Sequence, residues 1–157
     1  MSMMRDGTPK GYAFLKIKGN TYEFDYKVAG EEADYQIKLF TPDVVAEKQV
    51  QRYTLYANFF IGKEGDQVEV RIDGGDWKPM KYAPEVDPQY TANVYRYDGA
   101  ETLQEGRRPS NAVMSTHLWK VNLPKLIAGK HQLEVRGVDM FGKTHHQRKV
   151  IEVVNDK

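Results

Sequence analysis

Short runs in which apolar and polar side chains alternate dominate this sequence. Alternation of period two places every second side chain on one face, as in a half-buried β-strand, and no long stretch keeps the 3.6-residue period of a helix. The clearest runs lie at residues 13–18, 22–26, 35–39, 68–72 and 133–136. The pattern therefore predicts an antiparallel β-sheet assembled from hairpins.

Turn-forming residues between the runs indicate how neighbouring strands pair. Gly19-Asn20 supplies a two-residue turn between the first two runs. Asp-Gly-Gly-Asp at residues 73–76 predicts a second hairpin, and Asp-Met-Phe-Gly at residues 139–142 predicts a third. Most of the chain is thus organised as consecutive strand pairs.

Three further segments complete the predicted fold. Residues 53–61 carry apolar groups on both faces, which is typical of a central strand, and residues 150–154 form a final strand. Residues 43–52 are predicted to hold a helical turn. A total of about seven or eight short strands predicts an all-β protein, an antiparallel two-sheet β-sandwich of the immunoglobulin or fibronectin kind.

The alternation stops between residues 82 and 115. Prolines, glycines and polar groups fill this stretch, and connections of such length inside a domain are usually functional or disordered. We predict a long irregular insertion there, and a partly ordered surface loop is an equally good interpretation. Residues 1–12 are predicted to be a linker from a missing upstream domain, and residues 13–155 a single sandwich domain.

Composition excludes several classes of partner. Lys and Arg total 23 against 22 for Asp and Glu, so no net field attracts nucleic acid or an anionic membrane. The apolar runs are shorter than a membrane-spanning helix, and the absence of cysteine excludes disulfides, thiolate metal sites and a thiol nucleophile. We expect neither nucleic acid nor membrane as a partner, and the segment leaves the compartment unknown.

Motifs for catalysis are missing. The short blocks that bring carboxylates, Asn and His to a two-metal site, such as D-x-H, G-N-H-D/E and G-H-x-H, do not occur, and adjacent His145 and His146 would point to opposite faces of a strand. Ser110 or Ser115 could be combined with His117 and an aspartate on paper, but no G-x-S-x-G elbow is present. We therefore expect no catalytic residues, no metal site and no enzyme activity in this chain. The four histidines considered are His117, His131, His145 and His146.

Aromatic and basic residues supply the remaining candidates for function. Trp119 shares a strand face with Val121, which predicts core packing. The tyrosines of the insertion could stack on a sugar ring or pack against another domain, and both interpretations stay open. The candidate interdomain or ligand surface consists of Tyr82, Tyr90, Tyr95, Tyr97, Arg107, Arg108 and His117.

Four blocks of sequence, in order, resemble the C-terminal domain of bacterial calcineurin-like phosphoesterases. They are D-G-T-P-K-G-Y at residues 6–12, R-I-D-G-G-D-W at 71–77, G-R-R-P-S-N-A-V-M-S-T-H-L-W at 106–119 and H-Q-L-E-V-R-G-V-D-M-F-G at 131–142. The first and third blocks are the distinctive ones. The resemblance extends over nearly the whole chain.

The resemblance implies a non-catalytic accessory domain. In such proteins a small N-terminal β domain and a central metal-dependent phosphoesterase domain come first, so the catalytic groups and divalent metal ions are expected there. No position here matches a metal ligand of the family. The implied partner is the catalytic domain of the same polypeptide, with this domain shaping substrate access, and the implied parent is an exported or periplasmic bacterial protein. A carbohydrate-binding or general interaction module is the alternative.

Overall fold

Two packed β-sheets form the centre of the computed structural model, which describes residues 3–102 and 105–155. A 3-10 helix spans Glu47–Arg52 and helix α1 spans Pro88–Asp98. The strands are β1 Gly11–Lys18, β2 Thr21–Val28, β3 Ile37–Phe40, β4 Val44–Ala46, β5 Thr54–Phe59, β6 Val68–Ile72, β7 Lys78–Pro79, β8 Lys81–Tyr82, β9 Glu85–Val86, β10 Met114–Ser115, β11 Leu118–Asn122, β12 Gly129–Val138 and β13 Thr144–Val154.

The sheets have four and five strands. The four-stranded sheet has the order β3-β5-β11-β8, and the five-stranded sheet has the order β4-β13-β12-β6-β7. Every pair is antiparallel except β13 with β4, which run parallel. The prediction of an all-β, sandwich-like domain is confirmed. The immunoglobulin-like topology stays a prediction.

All three predicted hairpins form. Lys18 pairs with Thr21 across the Gly19-Asn20 turn, and Val70 pairs with Lys78 across the second turn. The third hairpin joins β12 to β13, which begins at Thr144, six residues before the predicted final strand. Residues 144–149 are rich in polar groups, so the apolar alternation that marks Val150 onward does not extend to them.

One buried apolar cluster lies between the two sheets. Along β5, Leu55, Ala57 and Phe59 point into it, and Leu133 and Val135 of β12 enter it from the other sheet. Trp119 is only 1% exposed and belongs to the same cluster, which confirms its predicted core position. The 3-10 helix confirms the predicted helical turn and adds buried Val50 to the core.

Strand β5 is central, as predicted. It pairs with β3 on one side and with β11 on the other, and residues on both of its faces are buried. Because side chains alternate, Asn58 must point away from the core when Ala57 and Phe59 point into it. Asn58 is nevertheless buried, since other segments cover the outer face of this sheet.

Residues 82–115 contain more regular structure than the sequence predicts. Helix α1 occupies eleven of these residues, and β9 pairs with β10 as a small separate sheet. The helix begins after Asp87, whose side chain accepts from the backbone NH of Tyr90, and it ends before Gly99. No helix in the described part of the chain has the length and apolar character needed to cross a membrane.

Candidate functional site

A buried polar cluster lies on the outer face of the four-stranded sheet. We call it the His117 cluster, and it begins with Lys38 of β3 and Asn58 of β5, which are directly paired across the two strands. Both are buried, although each points away from the apolar core. Polar groups taken out of water in this way need partners, because an unpaired buried amine or amide is costly. The members of the cluster are Asp6, Thr8, Lys38, Asn58, Asp87, Ser115 and His117.

The segment that precedes β1 covers this face. Lys38 Nζ donates to the carbonyl oxygen of Gly7 at 2.6 Å and lies 3.4 Å from Asp87 Oδ2. Asn58 Nδ2 donates to the same Asp87 oxygen at 2.9 Å. Burial lowers the pKa of Lys38, and the Asp87 carboxylate opposes that shift. Residues 3–10 are thus fastened to the sheet by hydrogen bonds to a buried charge pair.

Asp87 also fixes the start of helix α1. Its Oδ1 accepts from the backbone NH of Tyr90 at 2.8 Å, while Pro88 occupies the first helical position, where a missing NH costs nothing. Gly7 has φ +86, and a Cβ at Gly7 would lie 2.2 Å from Asp87 Cγ. The turn D-G-T-P therefore requires glycine at this position, because its φ is positive and the helix cap fills the space beside it.

His117 links the cluster to the segment before β11. Its Nδ1 lies 2.9 Å from Asn58 Oδ1, and its Nε2 lies 3.2 Å from Thr8 Oγ1 and 3.5 Å from Asp6 Oδ2. The hydrogen bond from His117 lowers the pKa of Asp6 to about 2, against the opposing effect of burial. The two distinctive sequence blocks, at residues 6–12 and 106–119, therefore meet at His117.

The Ser115–His117–aspartate combination comes together in space, but it is not arranged for catalysis. Ser115 Oγ lies 3.3 Å from His117 Nδ1, and Asp6 lies beside Nε2. Ser115 is 0% exposed, so no substrate reaches its hydroxyl, and His117 Nδ1 already bonds Asn58. A nucleophile must be accessible to the atom that it attacks. The hydrogen bonds of this cluster hold segments together.

The predicted tyrosines do not form one surface. Tyr90 is buried and its hydroxyl donates to Ser110 O, while the Tyr97 hydroxyl donates to Gly106 O. The Tyr82 ring meets Trp119 edge-on at 5.3 Å between centroids, and its hydroxyl donates to Thr116 O. Tyr95 is 71% exposed. Tyr82, Tyr90 and Tyr97 each donate a hydrogen bond within the domain, and Tyr95 is the most exposed of the four.

The two adjacent arginines have different surroundings. Arg108 forms a bidentate ion pair with Asp98, in which Nε and Nη2 lie 2.6 and 2.7 Å from the carboxylate oxygens. This pairing lowers the pKa of Asp98 and tethers the segment after α1 to the end of the helix. Arg107 is exposed and lines a cleft.

This cleft, which we call the N-terminal cleft, separates residues 3–10 from the insertion and has a volume of about 700 Å³. Arg5, Lys10 and Arg107 bring three cations to its walls, and Asp6 brings one carboxylate. Arg5 Nε donates to Asn111 O at 2.8 Å, which bridges the two walls. The remaining lining residues are Met3, Met4, Tyr90, Asn93, Pro109, Ser110 and Val113.

Several residues of this region are missing from the sequence-based candidates. Asp87-Pro88 is a helix-start signal, and Lys38 interrupts an apolar strand, so both carried detectable information. No sequence pattern connects Asp6 or Asn58 with His117, because they lie 111 and 59 residues from it along the chain. The candidate surface as a whole stays a prediction. Its members Tyr90 and Arg107 share the N-terminal cleft, whereas Tyr95 lies elsewhere.

Each of the other three histidines contacts a different partner. His131 Nδ1 lies 2.6 Å from Asp73, His145 Nε2 lies 2.9 Å from Asp139, and the His146 ring packs against Trp77. Within residues 3–102 and 105–155 there is no group of three or more His, Cys, Asp or Glu side chains placed to hold a metal ion.

The fold and the His117 cluster define a β-sandwich domain whose distinctive motifs hold its N-terminal segment against its own helical insertion. Comparison with protein families gives one model, described as the C terminal of calcineurin-like phosphoesterase, which matches residues 1–145. The chain belongs to this family. In comparisons with curated proteins and with solved structures, nothing matches significantly. The family expectation drawn from the four sequence blocks is confirmed.

Proposed function

We propose that this domain is a non-catalytic accessory module of a metal-dependent phosphoesterase. It packs on the catalytic domain of the same polypeptide, and its N-terminal cleft forms one wall of the substrate site. The observation that carries this proposal is the fastening of residues 3–10 to the insertion by the His117 cluster. The divalent metal ions belong to the catalytic domain, since calcineurin-like phosphoesterases are metal-dependent.

A fixed N-terminal segment supports the packing role. Domains joined by an unstructured linker move relative to each other by default. Here Gly7, Thr8 and Pro9 are buried, and Tyr26 Oη donates to Pro9 O at 2.6 Å. A catalytic domain attached before residue 3 would therefore be held in a restricted orientation against the sandwich.

The charge of the N-terminal cleft supports the role in substrate access. In the part of the chain that the structure describes, neither Lys10 Nζ nor the Arg107 guanidinium has a carboxylate partner. Many other cations are paired, including Lys38, Arg71, Arg108 and Lys120. Unpaired cations on a concave surface attract anions, and phosphate esters are anionic.

The test compares two substrates of the full-length parent enzyme. One phosphate ester carries a second negative charge on its leaving group, and the other has a neutral leaving group of similar size. We expect the double variant K10A/R107A to raise KM for the doubly charged ester about three- to tenfold, with kcat unchanged, because two exposed charges contribute modestly.

The matched control is R52A, which removes an exposed arginine at the end of the 3-10 helix. It should leave KM unchanged for both esters. An unchanged KM for both esters in K10A/R107A would contradict a role for the cleft in substrate binding, and an equal change for both would contradict recognition of the second charge. Addition of the purified domain to a catalytic domain lacking it should also restore stability or turnover, and a lack of any association would contradict the accessory role.

A carbohydrate-binding module is the second candidate, and one observation favours it. Tyr95 and Tyr56 line the same shallow pocket together with Glu85, which offers aromatic faces and a hydrogen-bond acceptor. Trp77 is less suited, because the Arg71 and Arg136 guanidinium groups lie 4.6 and 4.3 Å from its ring centre. Calorimetric titration with a panel of sugars tests this candidate, and Y95A should abolish any binding that is found.

A further inference from the structure

The hairpin formed by β1 and β2 carries an unusual amount of exposed apolar surface. All eight residues of β1 are exposed. Leu15 is 63% exposed and Ile17 is 72% exposed, on the strand face that β2 continues with Tyr22. Large exposed apolar patches on soluble domains mark interaction surfaces. The exposed apolar side chains of the hairpin are Leu15, Ile17 and Tyr22 on this face and Tyr12 and Phe14 on the opposite face.

Contacts to the sandwich are made through β2 and leave β1 outermost. The rings of Phe24 and Tyr22 meet Phe141 edge-on at 5.4 and 6.0 Å between centroids, and Tyr26 meets Phe60 at 6.2 Å. In the described part of the chain, β1 pairs with β2 alone, so its outer edge offers free backbone NH and carbonyl groups. Such an edge pairs readily with a further strand.

The position of the hairpin indicates its occupant. Strand β1 directly follows residues 3–10, and the backbone NH of Ala29, just after β2, donates to Lys10 O. The hairpin and the fastened N-terminal segment thus form one continuous surface. In a polypeptide where a catalytic domain comes before residue 3, this is the part of the sandwich nearest to it in sequence.

We propose that the catalytic phosphoesterase domain of the same polypeptide docks on β1, covering its apolar side chains and its open edge. This inference rests on the proposed function. The partner surface is apolar at its centre and presents carboxylates at its border, facing Lys18 and Lys10, which are exposed and have no carboxylate partner among the described residues.

Amide hydrogen exchange tests the contact, with this chain alone compared with the full-length parent. Exchange at residues 11–18 should slow by at least about tenfold in the parent, because docking excludes water from an edge that is open in the isolated domain. The variant L15T/I17T, which places β-branched threonine at both positions of the strand, should remove most of this protection in the parent. The same variant should barely change the stability of the isolated chain, where both side chains are already exposed.

The control variant is I127T, because Ile127 is similarly exposed, at 69%, but lies far along the chain from the hairpin. It should leave the protection intact. Protection elsewhere on the sandwich without protection at residues 11–18 would overturn the docking surface and leave the accessory role standing. Identical exchange in chain and parent at every residue would overturn both. Protection of residues 11–18 that rises with concentration in the isolated chain would identify a second copy as the occupant and overturn the proposal.

Discussion

The partners of the two ring nitrogens of His131 determine the protonation state of its side chain, which forms an ion pair with Asp73. Nδ1 lies 2.6 Å from Asp73 Oδ2, and Nε2 lies 2.8 Å from the carbonyl oxygen of Ile127. A carboxylate and a carbonyl both accept hydrogen bonds, so each ring nitrogen must donate, and only the protonated ring has two donors. Burial lowers the pKa of His131, but the bonds to Asp73 and Ile127 outweigh it and raise the pKa above 6.5.

The first prediction concerns the pH dependence of stability. A histidine whose pKa is raised in the folded state stabilises that state fully below the unfolded pKa of about 6.5 and loses this contribution as pH rises through the folded pKa. We expect H131Q to lose stability relative to the wild type at pH 5.5 and to lose progressively less at higher pH. Urea unfolding across this pH range measures the difference.

The matched variant is D73N, which removes the carboxylate that faces His131 Nδ1. Its loss of stability relative to the wild type should also become smaller as pH rises. A loss that is constant with pH for H131Q would contradict the doubly donating ring. Asp73 itself adopts φ 51, a conformation that aspartate tolerates better than most residues do.

At the scale of single elements, helix α1 depends on a cap that also serves the sheet beneath it. Asp87 caps the helix through Tyr90 NH, accepts from Asn58 and faces the Lys38 amine. The cap alone is worth about 1 kcal/mol. Removal of the carboxylate also leaves a buried lysine unpaired, and breaking such a pair from one side costs about 3–5 kcal/mol.

The second prediction compares two aspartates at opposite ends of the same helix. D87A should lower the free energy of unfolding by about 3–5 kcal/mol. D98A removes only an exposed pair with Arg108 and should cost much less stability than D87A. Chemical denaturation of both variants measures the two values. Equal losses would show that the buried polar cluster contributes no more than a surface ion pair.

The strands were predictable from sequence where apolar and polar residues alternate. Alternation marks β6 and β12, and it also marks β1 and β2, although every residue of β1 is exposed. Turn residues mark the hairpins β1–β2, β6–β7 and β12–β13. Helix α1 gave a weak signal because only Tyr90 and Val94 are buried along its eleven residues, which is too sparse for an apolar stripe. Its proline and glycine, which mark its two ends, resemble loop residues when the stripe is missing.

The candidate site was predictable only in part, for a related reason. His117 is one of the sequence-based candidates, but its partners come from segments far away in the sequence. Pairing between distant polar residues follows from the fold and leaves no periodic trace in the chain. The buried position of Ser115 likewise depends on the segment that covers it.

At the scale of the whole molecule, the two sheets approach each other closely at one point. Gly137 of β12 has no side chain, and a Cβ there would lie 2.9 Å from the ring carbons Cδ1 and Cε1 of Phe59 on β5. The phenylalanine therefore fills space that a larger residue at position 137 would occupy. Interiors packed to this density do not accept extra carbon atoms without movement of the backbone or the ring.

The third prediction follows from this contact. G137A should destabilise the domain by about 1–3 kcal/mol through overpacking. F59L removes ring atoms and should cost stability by itself, yet the double variant F59L/G137A should be more stable than the sum of the two single losses predicts. Thermal unfolding of the four proteins gives the interaction energy. Strict additivity would contradict the steric explanation.

Strand β13 lies inside its sheet, between β12 and β4, and its pairing with β4 joins Val153 to Val45. During synthesis the earlier strands leave the ribosome with this slot vacant, so the larger sheet stays incomplete until residue 154 has emerged. Contacts that span so much of the chain also slow folding, because a long loop must close first. The edges of β4 and β12 that face this slot therefore stay unpaired until β13 has been made.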